Sequence, residues 1–401
     1  MIGKWVLLRV VLPAMCLALI AKAEGFFGSS GFTRIMAAES TAFMLLAAEP
    51  AGRGPAAPAQ PGPLIQDDKR VTFRLLAPKA SEATVNGDFW TQQSRVEPLK
   101  KDEQGLWSVT VGPLSPGTYS YWFVVDGISI PDPGNGAIKP GVRVTQSAFE
   151  IPGPEADWQS LRNVPHGDVC MIWYHSAVLD KMRRMHVYLP PGYENSKQRY
   201  PVLYLLHGGG DYDDGWISIG RANWIMDNLL AQAKAKPMII VMPFVFAVPQ
   251  GSPEWSNNSS LFGKELTQDI IPYVERRFRI LPGSANRAIG GLSMPNILPD
   301  VAFAYFDRFD YLCFTSNGLS DDRIAYYEKA YPGLLDNPNN VKRVTFWIGD
   351  GANAMTFAGA KNLAERMKQR GYKTTFLTTD GIHGWPWFRR YFFEMVQVMF
   401  R

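Results

Sequence analysis

A chain of 401 residues that is 46% hydrophobic and 13% aromatic is long enough for two domains and too apolar to be disordered along its length. The formal charge of +4 falls to +1 once Lys4, Arg9 and Lys22 are set aside, because residues 1–23 contain no acid. So even a balance argues against nucleic acid or an anionic membrane surface as a partner.

Residues 1–23 begin with Lys4 and Arg9, continue through an apolar run over 10–20, and end in Ala21-Lys22-Ala23. A basic start, a short apolar run and a small-x-small site describe a secretory signal peptide. The run is shorter than the ~20 residues of a spanning helix, so the reading favours export, to the periplasm or outside the cell, over a membrane anchor. Removal of this segment leaves Cys170 and Cys313, whose pairing sequence spacing does not decide. No Cys/His cluster has metal-ligand spacing, so neither metal nor cofactor is expected.

Residues 24–68 read as a low-complexity linker, with a second apolar patch at 42–48 and a Pro/Ala/Gly-rich stretch at 49–63. From 69 to 153 short alternating runs (71–75, 83–86, 107–111, 119–125) are separated by turn signals such as Asn86-Gly87-Asp88 and Ser115-Pro116-Gly117. Strands at that spacing predict a small antiparallel β-sandwich. Trp107 and Trp122 lie within alternating strands, which assigns them to its core; carbohydrate stacking by these two and Trp90 is the other reading.

Residues 158–401 change to apolar strands alternating with helical periodicity, the pattern of an α/β domain on a mostly parallel sheet. An edge strand and turn are predicted at 184–193, and strands at 200–206, 238–242, 287–291, 343–349 and 374–377. Helices are predicted at 223–233, 264–279 and 358–371.

Chemistry-bearing residues fall at strand ends. Gly291-Leu292-Ser293-Met294-Pro295 is close to the G-x-S-x-G nucleophile elbow, with proline in place of the last glycine. Ser293 is the candidate nucleophile, and the Met294 N–H is a candidate oxyanion donor. His207-Gly208-Gly209-Gly210 follows an apolar strand, where Gly208 or Gly209 can offer the second donor. His383, after the last strand, is the candidate base, and His166, His175 and His186 are assigned structural roles. The order serine, acid, histidine is that of α/β-hydrolases.

From residue 71 to the end the chain resembles the esterase family that includes feruloyl esterases and enterochelin-esterase-like proteins. The matching stretches are Tyr188-Leu-Pro-Pro-Gly-Tyr193, Tyr200-Pro-Val-Leu-Tyr-Leu-Leu-His-Gly-Gly-Gly210, Asp214-Gly-Trp216, Asn286-Arg-Ala-Ile-Gly-Gly-Leu-Ser-Met294, and His383-Gly-Trp385 with Arg389 behind it. The amino-terminal segment resembles the immunoglobulin-like domain that precedes many such esterases and, in related form, glycogen-branching enzymes. The resemblance implies an α/β-hydrolase fold and serine hydrolysis of carboxylic esters, with hydroxycinnamoyl sugars or other acylated glycans as substrates. It places Trp216 and Trp385 as walls of an acyl pocket, or else as core.

Two departures stand out. The elbow runs Ser293-Met-Pro-Asn-Ile-Leu-Pro299 where the family continues with glycines, which predicts a bent or shortened helix and a costly missing N–H at Pro299. The family's W-I-G-x-G-x-x-D acid position is Ala354 here, which leaves Asp350 as the candidate acid and Asp380 as the other choice. The alternative to an active esterase is a silent homologue that binds glycans or acylated ligands, and it rests on Pro295 and Ala354.

Overall fold

The computed structural model describes residues 62–92, 95–294 and 296–401. The predicted signal peptide, most of the predicted linker and Pro295 lie outside the described residues. No helix among the described residues is long and apolar enough to cross a membrane.

The amino-terminal domain is an antiparallel β-sandwich. In one sheet Val71–Leu76 pairs with Leu106–Val111, and in the other Gly117–Val125 is flanked by Ala83–Gly87 and Gln146–Ile151. The first strand, Leu64–Ile65, pairs with Val71–Leu76, so the sandwich starts inside the segment assigned to the linker. Val71–Leu76 alternates strictly, with Val71, Phe73 and Leu75 inward, as period-2 strands over one core must. Phe73, Phe89, Tyr121 and Phe149 meet at ring-centroid distances of 4.8–6.0 Å. Trp107 joins this core, but Trp122 does not; it faces the cleft described below.

The second domain is a mixed sheet in the order Asp168–Ser176, Lys181–Leu189, Ile239–Pro243, Val202–Leu206, Arg287–Leu292, Tyr311–Thr315, Thr345–Gly351 and Lys373–Thr379. The first two strands form an antiparallel hairpin, and the strands from Ile239–Pro243 onward run parallel. Val202–Leu206, Ile239–Pro243 and Arg287–Leu292 are buried at every position, because helices cover both faces of a parallel sheet.

Four predicted elements change. The strand read as an edge over 184–193 is Lys181–Leu189 and lies inside the sheet, with Asp168–Ser176 pairing on its outer side. The helix expected at 264–279 starts earlier, at Asn258, and passes through a π-helical stretch, Leu266–Ile270, before Ile271–Arg277. The strand expected from residue 343 starts at Thr345, because Arg343 closes a short helix, Pro338–Arg343. After the elbow the helix is Ile297–Ala304, which puts Pro299 in its first turn. The first four N–H groups of a helix have no intrahelical acceptor, so the expected penalty at Pro299 does not arise. Cys170 and Cys313 are both free, Cys313 deep in the sheet and Cys170 on its edge hairpin.

The two domains are joined by buried polar contacts. Arg389, fully buried in the last helix, donates to Gln159 Oε1 at 2.6 Å, to the Ile219 carbonyl at 2.8 Å and to the Thr118 carbonyl of the sandwich. Burial pulls its guanidinium down to about 10, against the opposing field of Asp88. A buried cation is tolerated only when such partners surround it, so this arginine fixes how the sandwich sits on the sheet.

Candidate active site

Arg287–Leu292 is the central strand that delivers the elbow. Gly291 lies so close to its neighbour that an added Cβ would come within 2.7 Å of the Leu206 carbonyl oxygen. Beyond the strand, Ser293 and Met294 have φ of 58° and 33°, left-handed values that non-glycine residues adopt only when neighbours hold them there. Asn317 is that holder. Fully buried, it donates through Nδ2 to the carbonyls of Ser293 at 2.7 Å and Met294 at 3.0 Å, while the Ser293 N–H bonds the Thr315 carbonyl. Nothing in its sequence context marked Asn317, because its role depends on the parallel pairing of two distant strands.

Ser293 Oγ and His383 Nε2 lie 2.9 Å apart. His383 sits on the loop between Lys373–Thr379 and the helix Trp385–Val396, with its ring edge-on to Phe388 at 5.1 Å. Burial pushes its pKa below the ordinary 6.5, and the charge of Asp211 works in the opposite direction. The imidazole is thereby biased toward the neutral form that accepts a hydroxyl proton.

Asp350 is fully buried near the end of Thr345–Gly351, paired in register with Thr378 on the strand that leads to His383. The loops continue side by side, with the Asn353 N–H bonded to the Gly381 carbonyl. Burial raises the Asp350 carboxyl, opposed by the hydroxyl of Thr356, the N–H of Gly351 at 2.8 Å and the hydroxyl of Ser316. Asp380 is exposed. Ala354 closes a turn onto Gly351 and is buried.

The glycine loop lies against the elbow. His207 Nε2 accepts the Val245 N–H at 3.1 Å, which leaves Nδ1–H to donate to the Gly208 carbonyl at 2.9 Å. Burial lowers His207 as well, so it is a neutral structural bridge. A side chain on Gly209 would meet Met294 Sδ at 3.2 Å.

Ser293 lies where two clefts meet. One, of about 630 Å³, runs between the domains: Leu292, His383, Trp385 and Phe388 form one wall, and Asp88, Trp122, Lys139 and Arg143 of the sandwich line the other. The second, of about 730 Å³, extends over Met294 toward Trp255, Asp300 and Tyr326. Both have the size of small-molecule sites. Trp385, almost fully buried, contributes to the lining of the first cleft. Trp216 does not; it is buried edge-on behind Trp385 at 5.2 Å, its Nε1–H bonded to the Leu206 carbonyl. His166, His186 and His175 lie beside Asp227, Asp213 and Asp180 respectively, away from Ser293. The sandwich contribution was missed, since nothing in a strand of alternating residues reveals which domain its outer face will meet.

Comparison with known proteins bears on the two domains. Residues 176–297 match a family model described as putative esterase, and residues 60–139 match carbohydrate-binding module 48, the isoamylase N-terminal domain. The chain is 30% identical over 354 residues to an endo-1,4-beta-xylanase/feruloyl esterase of Xylanibacter ruminicola, covering 86% of this chain and 46% of that protein. It therefore spans less than half the length of that relative. A ferulic acid esterase of Anaeromyces mucronatus superposes with a TM-score of 0.52 at 26% identity, over 61% of this chain and 95% of that one. The enterobactin esterase of Shigella flexneri superposes with a TM-score of 0.61 at 16% identity, over 84% and 96%, a likeness of fold.

Proposed function

We propose that this chain, which carries a putative-esterase family domain behind a carbohydrate-binding module 48 domain, is an exported serine esterase acting on acylated glycans or small esters. The observation that carries the reading is the 2.9 Å approach of Ser293 Oγ to His383 Nε2 at a left-handed strand-end elbow.

In this reaction Ser293 Oγ attacks the ester carbonyl carbon and His383 takes the hydroxyl proton. The oxyanion is met by the N–H of Met294 and that of Gly208 or Gly209. His383 returns the proton to the departing alcohol, and water then cleaves the acyl-serine by the same steps in reverse. Asp350 is assigned as the acid that orients His383, because it is buried at a strand end adjoining the histidine loop, whereas Asp380 faces solvent. A feruloyl-type acyl group is consistent with the aromatic lining of the clefts and with the names of the relatives. Export follows from the leader-like residues 1–23.

A fluorophosphonate probe tests the reading directly, since it reacts only with an activated serine. Stoichiometric labelling mapped to Ser293 is the expected result, and an unlabelled folded protein would refute the esterase in favour of a silent ligand-binding homologue. The pH profile offers a second check. Because His383 is held below 6.5, it stays neutral and competent as a base to lower pH than a free histidine. Hydrolysis of a short aryl ester, followed as kcat/KM, is expected to fall on the acid side with a midpoint below 6.5. A midpoint above that value would contradict the assignment of His383 as base.

A further inference from the structure

We propose that the sandwich completes the oxyanion hole: its segment 139–143 is a positioning clamp that sets the peptide planes of the Gly208–Gly210 loop. The inference rests on the esterase reading above and names residues that the family motifs do not include.

The argument starts from the peptide unit. In a planar trans peptide the C=O and the following N–H point in opposite directions, so anchoring a carbonyl aims the next N–H. Each carbonyl of the loop is anchored. Gly208 O accepts His207 Nδ1–H at 2.9 Å and the Asp211 N–H at 3.1 Å, which turns the Gly209 N–H to the other side. Gly209 O accepts Gln250 Nε2–H at 3.2 Å, and Gln250 is in turn held through Oε1 by Arg143 Nε–H at 3.1 Å. Gly210 O accepts the Val142 N–H at 3.1 Å, which by the same rule aims the Asp211 N–H, the donor to Gly208 O. The Gly209 N–H is thus fixed from the sandwich side, while Gln250 holds the peptide plane on the other side of Gly209. The end of the loop is fixed by Lys139 Nζ, which lies 2.7 Å from Asp211 Oδ1 with both side chains almost wholly buried.

Two of these anchors, Val142 and Lys139, belong to the sandwich side, and a third, Gln250, is steadied from it by Arg143. Gly141 allows the approach: a Cβ there would come within 2.4 Å of the Val144 carbonyl oxygen and 3.0 Å of the Gly210 carbonyl oxygen. A glycine-rich loop has the largest conformational freedom of any backbone, so without such anchors its donors would spread over many orientations. Preorganised donors lower the barrier because they need not reorient as charge develops on the oxygen. An ion pair as buried as Lys139–Asp211 is seldom a net source of stability and is better suited to fixing geometry.

The test uses the full chain and the variants Lys139→Met, Gln250→Leu and Lys139→Arg, with p-nitrophenyl acetate as substrate and phenylboronic acid as a mimic of the tetrahedral intermediate. Lys139→Met and Gln250→Leu are each expected to lower kcat by about tenfold to a hundredfold, somewhat less than deletion of an oxyanion donor, with KM within about twofold. Boronate affinity should weaken in parallel, and Lys139→Arg should retain most of the rate. Gln250 makes no buried ion pair, so its variant carries the test if Lys139→Met fails to fold. An active wild type whose folded variants keep kcat, or lose only KM, overturns the clamp alone. A wild type that neither turns over nor takes the fluorophosphonate label overturns the esterase reading and the clamp with it.

Discussion

Replacement of Ser293 by alanine is expected to reduce kcat on a short aryl ester by about 10⁴-fold or more while leaving the fold intact. Removal of the nucleophile forces any remaining reaction through direct attack by water, assisted only by the oxyanion donors and by binding. The variant keeps what shapes the elbow: the Ser293 N–H bond to Thr315 and the two Asn317 bonds are made by backbone atoms of the elbow. Alanine bears the left-handed φ of 58° no worse than serine, so thermal stability should stay within about 1 kcal/mol of the parent. A circular-dichroism melt beside the kinetic assay separates the two effects. Equal rates for parent and variant would mean that Ser293 is not the nucleophile.

Asp350→Asn carries the second large effect. An asparagine has nearly the same shape but no charge, and loss of the charge that orients the histidine costs about 10⁴ in turnover in serine proteases. Asp350, the acid assigned above, is fully buried and in register with the strand that leads to His383. Its partners Thr356, Gly351 and Ser316 favour the charged form against the cost of burial. Asp380→Asn, at an exposed position, should leave kcat within about twofold. The opposite pattern, with Asp380→Asn slow and Asp350→Asn near parental, would transfer the role of acid to Asp380.

Much of this architecture is legible in the sequence because it is written in local signals. The two domains differ in the period of their apolar residues, and the buried parallel strands stand out as continuous apolar runs. Ser293, His383 and the glycine loop are recognisable because their chemistry demands fixed residue types at strand ends. Helix boundaries were less readable: the π-helical stretch at Leu266–Ile270 and the first-turn place of Pro299 depend on where each helix starts, and no strong cap marks either start.

The sequence by itself determined the order of domains, the α/β sheet and the candidate reacting groups, since periodicity and backbone demands act within a few neighbouring residues. Only the tertiary structure decided which side chains surround that chemistry. Trp216 withdrew behind Trp385, Trp122 turned outward to the cleft, Asn317 came to hold the elbow, and Lys139 reached across from the sandwich to Asp211. The physical reason is tertiary in every case: pairing and packing within the α/β domain place Trp216 and Asn317, and packing of the sandwich on the sheet places Trp122 and Lys139, bringing groups that are separate in the chain within hydrogen-bond or van der Waals range.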